Sequence, residues 1–258
     1  MPSRDGFVPN SPSLESAGTD ESDCAKIPPM NSPAQTVESL QHDFDRIAVL
    51  PEEKWNHNVH YHNFLLSHVP DRCQHALEIG CGTGGFSQRL AQRAESVLAI
   101  DLSSQMVRVG RANSVHYRNI EFVQGDILDY PLPGNHFDCI ATLTTLHHLP
   151  LAAVLTKTKE ALKPGGVFLG LDLYRRSNAH DLAFDGIAYP LSALLRVIKM
   201  GRLRASLEMR RAYLDHDKTD RFLTLQEVVD ICADVIPAAL VKRHLFWRYS
   251  IVWTKPSK

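Results

Sequence analysis

The sequence predicts an α/β protein built on a seven-stranded, mostly parallel sheet with an antiparallel C-terminal hairpin. Three observations carry that expectation. Apolar strand-like runs alternate with helical stretches over residues 75–173, the pattern that builds a parallel sheet covered on both faces. The runs are almost continuously apolar, as strands buried on both sides must be. Two further strand-like runs, 240–246 and 249–254, stand close enough to pair as a hairpin.

Each element follows in order. Residues 1–36 mix Ser and Pro with Asp5, Glu15, Asp20, Glu21 and Asp23. They offer too little apolar surface to offset the entropy of ordering, so a disordered tail is expected. Residues 37–70 are expected to form an N-terminal helical cap. Leu40, Phe44, Ile47 and Ala48 recur at helical spacing, Val59, Phe64 and Leu65 follow, and Pro51 separates the two groups. The main domain is placed at 71–258. Residues 75–80 read as a strand, 83–93 as a helix and 96–101 as a second strand. Ser103 suits the N-cap of a helix reaching about residue 115. Residues 120–124 and 137–143 read as strands three and four. A helix over 151–162 is closed by Lys163-Pro164-Gly165-Gly166, and 167–173 is strand five. Residues 174–220 interrupt the alternation as a helical insertion, expected as a lid. It carries Leu191, Leu194, Leu195 and Ile198 among Arg196, Lys199, Arg202 and Arg204. Thr224, with Glu227 three residues on, is the capping box of a helix over 224–235.

Composition narrows the classes. A chain of 258 residues, 44% hydrophobic and 22% charged, suits one large globular α/β domain. Its formal net charge of −1 supplies no global field for nucleic acid. No apolar run approaches the roughly 18 residues of a spanning helix, and no secretory signal is read at the N-terminus. The five cysteines, Cys24, Cys73, Cys81, Cys139 and Cys232, are widely spaced and form no CxxC pair. Neither a disulfide framework nor a metal site is expected, and a reducing, cytoplasmic setting is.

The densest chemical signal is Ala76-Leu77-Glu78-Ile79-Gly80-Cys81-Gly82-Thr83-Gly84-Gly85, an apolar strand running into a glycine turn that opens a helix. Glycines there allow a sharp bend and the close approach of a ligand to the backbone. Asp101 follows 21 residues after Gly80, at the end of strand two, where a carboxylate can accept both hydroxyls of a ribose. The pattern is ambiguous, because Gly80, Gly82 and Gly85 also satisfy the dinucleotide spacing of an NAD(P)- or FAD-dependent oxidoreductase. Glu78 favours a ligand with an ammonium group over a pyrophosphate. Asp126, in Gly125-Asp126-Ile127 after strand three, is placed to accept from an adenine amino group.

These motifs together resemble the class I methyltransferases, and in particular the small-molecule members of the ubiquinone and menaquinone biosynthesis type. The resemblance runs from about Phe44 to Thr254 and rests on ALEIGCGTG (76–84), AIDLSSQMV (99–107), FVQGDILDYPLP (122–133), FDCIATLTTLHHL (137–149) and LKPGGVFL (162–169). It implies a Rossmann-like fold and S-adenosylmethionine as cofactor. It also implies that Gly80, Gly82 and Gly84 shape the loop under the methionine moiety. Asp101 would bind the ribose with Leu102 on the adenine, Asp126 and Ile127 would hold the adenine rim, and Thr142 and Leu143 would lie near the sulfonium.

The acceptor expected is a small molecule. The segment after strand four, Thr144-Thr145-Leu146-His147-His148-Leu149, lacks the Asn/Asp-Pro-Pro-aromatic motif of amino-group methylases of DNA, and no Pro-Cys pair exists. A macromolecule-directed enzyme acting on RNA or protein remains the other reading, with residues 202–211 as its only basic stretch. An imidazole titrates near neutrality and suits a general base. His60 is the first choice, with His147 and His57 beside it. His57 and His60, three apart, would share a helix face.

Overall fold

The computed structural model describes residues 36–51, 53, 55–177, 179–202, 208, 212 and 221–257, those at 179–183 by backbone alone. The expected disordered tail and most of the lid beyond residue 202 lie outside the described residues.

Two helices come first, α1 (Val37–Ile47) and α2 (His57–Leu66). Thr36 caps α1 by accepting from the Ser39 amide, and Asn56 caps α2 by accepting from the amides of Asn58 and Val59. The alternating core then runs β1 (Cys73–Ile79), α3 (Gly85–Leu90), β2 (Ala94–Asp101), α4 (Ser104–Asn113), β3 (Ile120–Gln124) and β4 (Phe137–Leu143). A single 3-10 turn, Leu146–His148, leads to α5 (Leu151–Ala161), β5 (Leu162–Leu173) and the long helix α6 (Ala179–Met200). The chain closes with α7 (Leu225–Val235), β6 (Leu240–His244) and β7 (Arg248–Thr254).

The strands form one sheet in the order β3-β2-β1-β4-β5-β7-β6. The first five are parallel, while β7 pairs antiparallel with both β5 and β6. The chain winds outward from β1 in one direction and returns at β4 on its other side. That reversal opens a crevice at the carboxyl ends of β1 and β4, where open α/β sheets bind ligands. Alternation along the strands sends Leu77, Ile79, Ile140 and Phe168 to the face covered by α5 and α7. Ala76, Cys139, Ala141 and Leu169 go to the face covered by α2 and α3. Each fully buried leucine in these layers contributes about 2 kcal/mol of transfer free energy.

β1 and β2 each begin two residues earlier than expected, and three other differences have a local cause. The glycine-rich turn delays α3 to Gly85, because Gly84 at its N-cap is left-handed (φ 85°). Lys163-Pro164-Gly165-Gly166 does not separate α5 from β5. Leu162 already pairs with Phe137, and the segment bulges before Val167 resumes the ladder against Cys139. The bulge is tied to the end of the C-terminal strand, with Gly165 N donating to Lys255 O and Lys255 N donating to Gly166 O, both at 2.8 Å. The hairpin strands end short of Phe246 and Trp247, which sit in the connecting turn with φ 59° each. Cys73, Cys81, Cys139 and Cys232 are free and buried, and Cys24 lies outside the described residues.

Candidate active site

The crevice is floored by the loop after β1. Gly80 has φ +70°, and a Cβ there would collide with the side chain of Thr145. Only glycine admits this contact between the ends of β1 and β4. Gly82 has φ +52° and open space where a Cβ would stand, so the loop leaves room on its outer side.

Three carboxylates stand at or just after the carboxyl ends of β1, β2 and β3. Glu78 is buried at 2% exposure and receives a hydrogen bond from Ser87 Oγ on α3 at 2.5 Å. Burial lifts its pKa to about 8, with the nearby Asp101 adding to the rise and Ser87 opposing it. Asp101, at the end of β2, accepts from Gly82 N on Oδ2 at 2.8 Å and from Ser103 N on Oδ1 at 2.9 Å. Burial raises its pKa too, and those two backbone donors oppose it. Asp126 closes an Asx turn on Leu128 N at 2.8 Å, and the neighbouring Ile127 is buried while Leu102 is half-buried.

At the end of β4, Thr142 is fully buried and its Oγ1 has no hydrogen-bond partner among the described residues. A buried hydroxyl left unsatisfied is costly unless a ligand completes it. An open glycine cradle, an orphaned hydroxyl and acids at the ends of β1 and β2 fit an adenosyl compound with an ammonium group.

Beyond Thr142 the chain bends through Thr144, a β-branched residue at φ 50°. Such a conformation costs of order 1–3 kcal/mol and persists only where its surroundings fix it. Thr144 N donates to Leu171 O at 2.7 Å, and Asn58 Nδ2 on α2 donates to Thr144 Oγ1 at 2.8 Å. Arg248, on β7, in turn donates through Nε (3.1 Å) and Nη2 (3.0 Å) to Asn58 Oδ1. The bend thus presents His147, which is anchored twice on Asp172. Its Nδ1 lies 2.6 Å from Asp172 Oδ1, and its backbone N donates to Oδ2 at 2.8 Å. Asp172 is fully buried in β5. Sequence reasoning missed Asp172, although a lone acid inside the apolar run Val167-Phe168-Leu169-Gly170-Leu171-Asp172 is a signal that it could have used.

The imidazoles of α2 stand apart from that pair. His57 and His60 do share a face, both touching Trp55 and Phe246. His57 lies flat on Phe246 at 4.8 Å, and its Nε2 meets Ser192 Oγ of α6 at 2.8 Å. Burial first, then the Arg248 and Arg196 charges, bring its pKa down to about 3. His60 is more exposed, with its pKa also lowered by burial. His62 packs against Phe86, and burial brings it down to about 4.

Comparison with known proteins adds an independent line. Residues 76–166 match the family described as "Methyltransferase domain". An uncharacterized methyltransferase of Mycobacterium bovis is 25% identical over 206 residues, covering 80% of this chain and 99% of the relative. A ubiquinone biosynthesis O-methyltransferase of Xylella fastidiosa is 32% identical over 51% of this chain and 55% of its own length. Among solved structures, the N-methyltransferase NodS of Bradyrhizobium japonicum, in complex with S-adenosylhomocysteine, shares the fold. Its TM-score is 0.57 at 15% identity, over 84% of this chain and 99% of NodS. The domain match resolves the ambiguity of the glycine spacing against a dinucleotide oxidoreductase.

Proposed function

We propose, for a chain that is a class I S-adenosylmethionine-dependent methyltransferase, that the acceptor is a small molecule deprotonated by His147. The cofactor supplies an electrophilic methyl group on a sulfonium. The residues around it divide the remaining work. Glu78, protonated at neutral pH in the unliganded protein, gives up that proton to solvent and pairs as a carboxylate with the ammonium end, and Asp101 accepts from the ribose hydroxyls with the lone pairs that Gly82 and Ser103 leave over. Asp126 accepts from the adenine amino group between Leu102 and Ile127. Gly80, Gly82 and Gly84 let the chain approach the amino-acid end, and the Thr142 hydroxyl gains the partner that it lacks.

The single observation that carries the base assignment is the His147–Asp172 pair at 2.6 Å, with the carboxylate fully buried. A carboxylate on Nδ1 fixes the tautomer and ring orientation, so the ring accepts a proton at Nε2 and the imidazolium is stabilised. Among the described residues neither His57 nor His60 has a carboxylate partner, and a pKa of about 3 leaves His57 a feeble proton acceptor at neutral pH. A small acceptor is supported by the methyltransferase of ubiquinone biosynthesis among the relatives. Of the basic stretch on which an RNA reading would stand, Arg202 pairs with Glu53 at 3.1 Å, and the remaining basic residues lie outside the described residues.

The test is release of S-adenosylhomocysteine during incubation with a panel of phenols, quinols, fatty acids and primary amines. His147→Ala is expected to lower kcat by about 100-fold or more, the usual contribution of a general base, with cofactor affinity unchanged. Asp172→Asn is expected to lower it through the wrong tautomer and to displace the acidic limb of the pH profile. Full activity of His147→Ala, with loss in His60→Ala, would move the base to α2.

A further inference from the structure

Helix α1 carries two adjacent residues that reach opposite banks of the crevice. Asp45 Oδ1 accepts from Ser103 Oγ at 2.5 Å and from Gln105 N at 3.2 Å, at the start of α4. Phe44 meets the ring of His148 edge-on at 5.4 Å, on the turn that follows β4. The ends of β2 and β4 are separated by β1, a span of about 10 Å for two strand spacings. Side chains of consecutive helical residues diverge by about 100°, which is how neighbours on one turn reach both sides. The helix therefore crosses above the glycine loop at the end of β1.

The Asp45 contact is coupled to the cleft itself. Ser103, held by Asp45 through its hydroxyl, donates its own amide to Asp101 Oδ1 at 2.9 Å. Ser103 also caps α4 by accepting from Met106 N at 3.0 Å. One residue, Ser103, thus joins α1 and the first turn of α4 through its hydroxyl and the carboxylate at the end of β2 through its amide.

We infer that α1 is a latch over the donor cleft, and that Asp45 is a positioning residue which completes the nucleoside subsite only when α1 is docked. This rests on the donor assignment made above. Because the strap lies across the cleft, an adenosyl compound enters and leaves when Asp45 releases Ser103 and Phe44 withdraws from His148. Bound ligand, conversely, holds α1 down. Asp45 touches no ligand itself and acts through Ser103 and Asp101.

The experiment measures dissociation of S-adenosylhomocysteine by surface plasmon resonance, alongside hydrogen exchange of residues 37–47. In the wild type, ligand is expected to slow exchange throughout α1. Asp45→Ala, which loses the hydrogen bonds from Ser103 Oγ and Gln105 N, is expected to raise the dissociation rate about tenfold. Asp45→Asn keeps an oxygen acceptor for the Ser103 hydroxyl and is expected to stay within about twofold of wild type. Phe44→Ala releases the other bank and is expected to accelerate dissociation as well, which keeps the test independent of the folding of any one variant. Unchanged dissociation rates in both alanine variants, or α1 exchange indifferent to bound ligand, would overturn the latch. Absence of binding by the wild type would instead overturn the donor assignment, and the latch with it.

Discussion

Glu78 is the residue most at odds with its surroundings. A carboxyl at 2% exposure with one hydroxyl donor is held protonated up to about pH 8. A raised folded-state pKa means that the folded form binds a proton which the unfolded chain gives up. The stability that this confers is whole below about pH 4.5 and is lost as pH rises through about 8. Asp101 is shifted in the same direction. In the unliganded protein Glu78→Gln is therefore expected to flatten the fall in Tm between pH 5 and 8, as read by thermal denaturation in matched buffers. His57 and His62 act with the opposite sign. Brought down to about 3 and 4, they favour folding above their ordinary range and withdraw that support as the medium is acidified. Glu78 was legible in the sequence as a charge in an apolar strand, whereas nothing in the sequence marked Ser87 as its partner.

The element least legible in the sequence is the β6–β7 turn. Phe246 read as the end of a strand because aromatic residues favour strands, yet it and the following Trp247 both adopt φ 59°. What overrides that preference lies far off in the chain. Tyr61 OH donates to Leu245 O at 2.8 Å, Trp247 Nε1 donates to Asp185 Oδ1 at 2.7 Å, and His57 covers Phe246. Helices α2 and α6 thus hold the turn, and through Arg248 and Asn58 the turn in turn supports Thr144 after β4. Removing the hydroxyl in Tyr61→Phe is expected to cost about 1 kcal/mol, seen as a drop in Tm of about 2–4 °C. Asn58→Ala removes both the acceptor for Arg248 and the donor to Thr144 Oγ1. Turnover is expected to fall severalfold with S-adenosylhomocysteine affinity preserved, and equal turnover would show that Thr144 needs no such support.

Over the whole molecule, the legible parts are those decided by local chemistry. β3 and β4 fall on the residues where apolar runs and their flanks put them, and the Thr224–Glu227 capping box forms as its spacing requires. The glycine loop, Asp101 and Asp126 arrive together because each sits at the end of its own strand in a sheet whose order follows from βαβ winding. The His147–Asp172 pair and the Asp45–Ser103 contact were not legible. Each joins residues 25 and 58 positions apart whose meeting depends on sheet register and on how a cap helix docks. The central claim is that acids at the ends of β1 and β2 hold an adenosyl donor above the glycine loop. Isothermal titration of the protein with S-adenosylhomocysteine, beside Asp101→Ala and beside NAD, tests it most directly. Binding by the wild type, a loss of about tenfold or more in Asp101→Ala from two missing ribose hydrogen bonds, and no heat from NAD are expected. Equal affinity in the two proteins, or binding of NAD in place of the adenosyl compound, would contradict it.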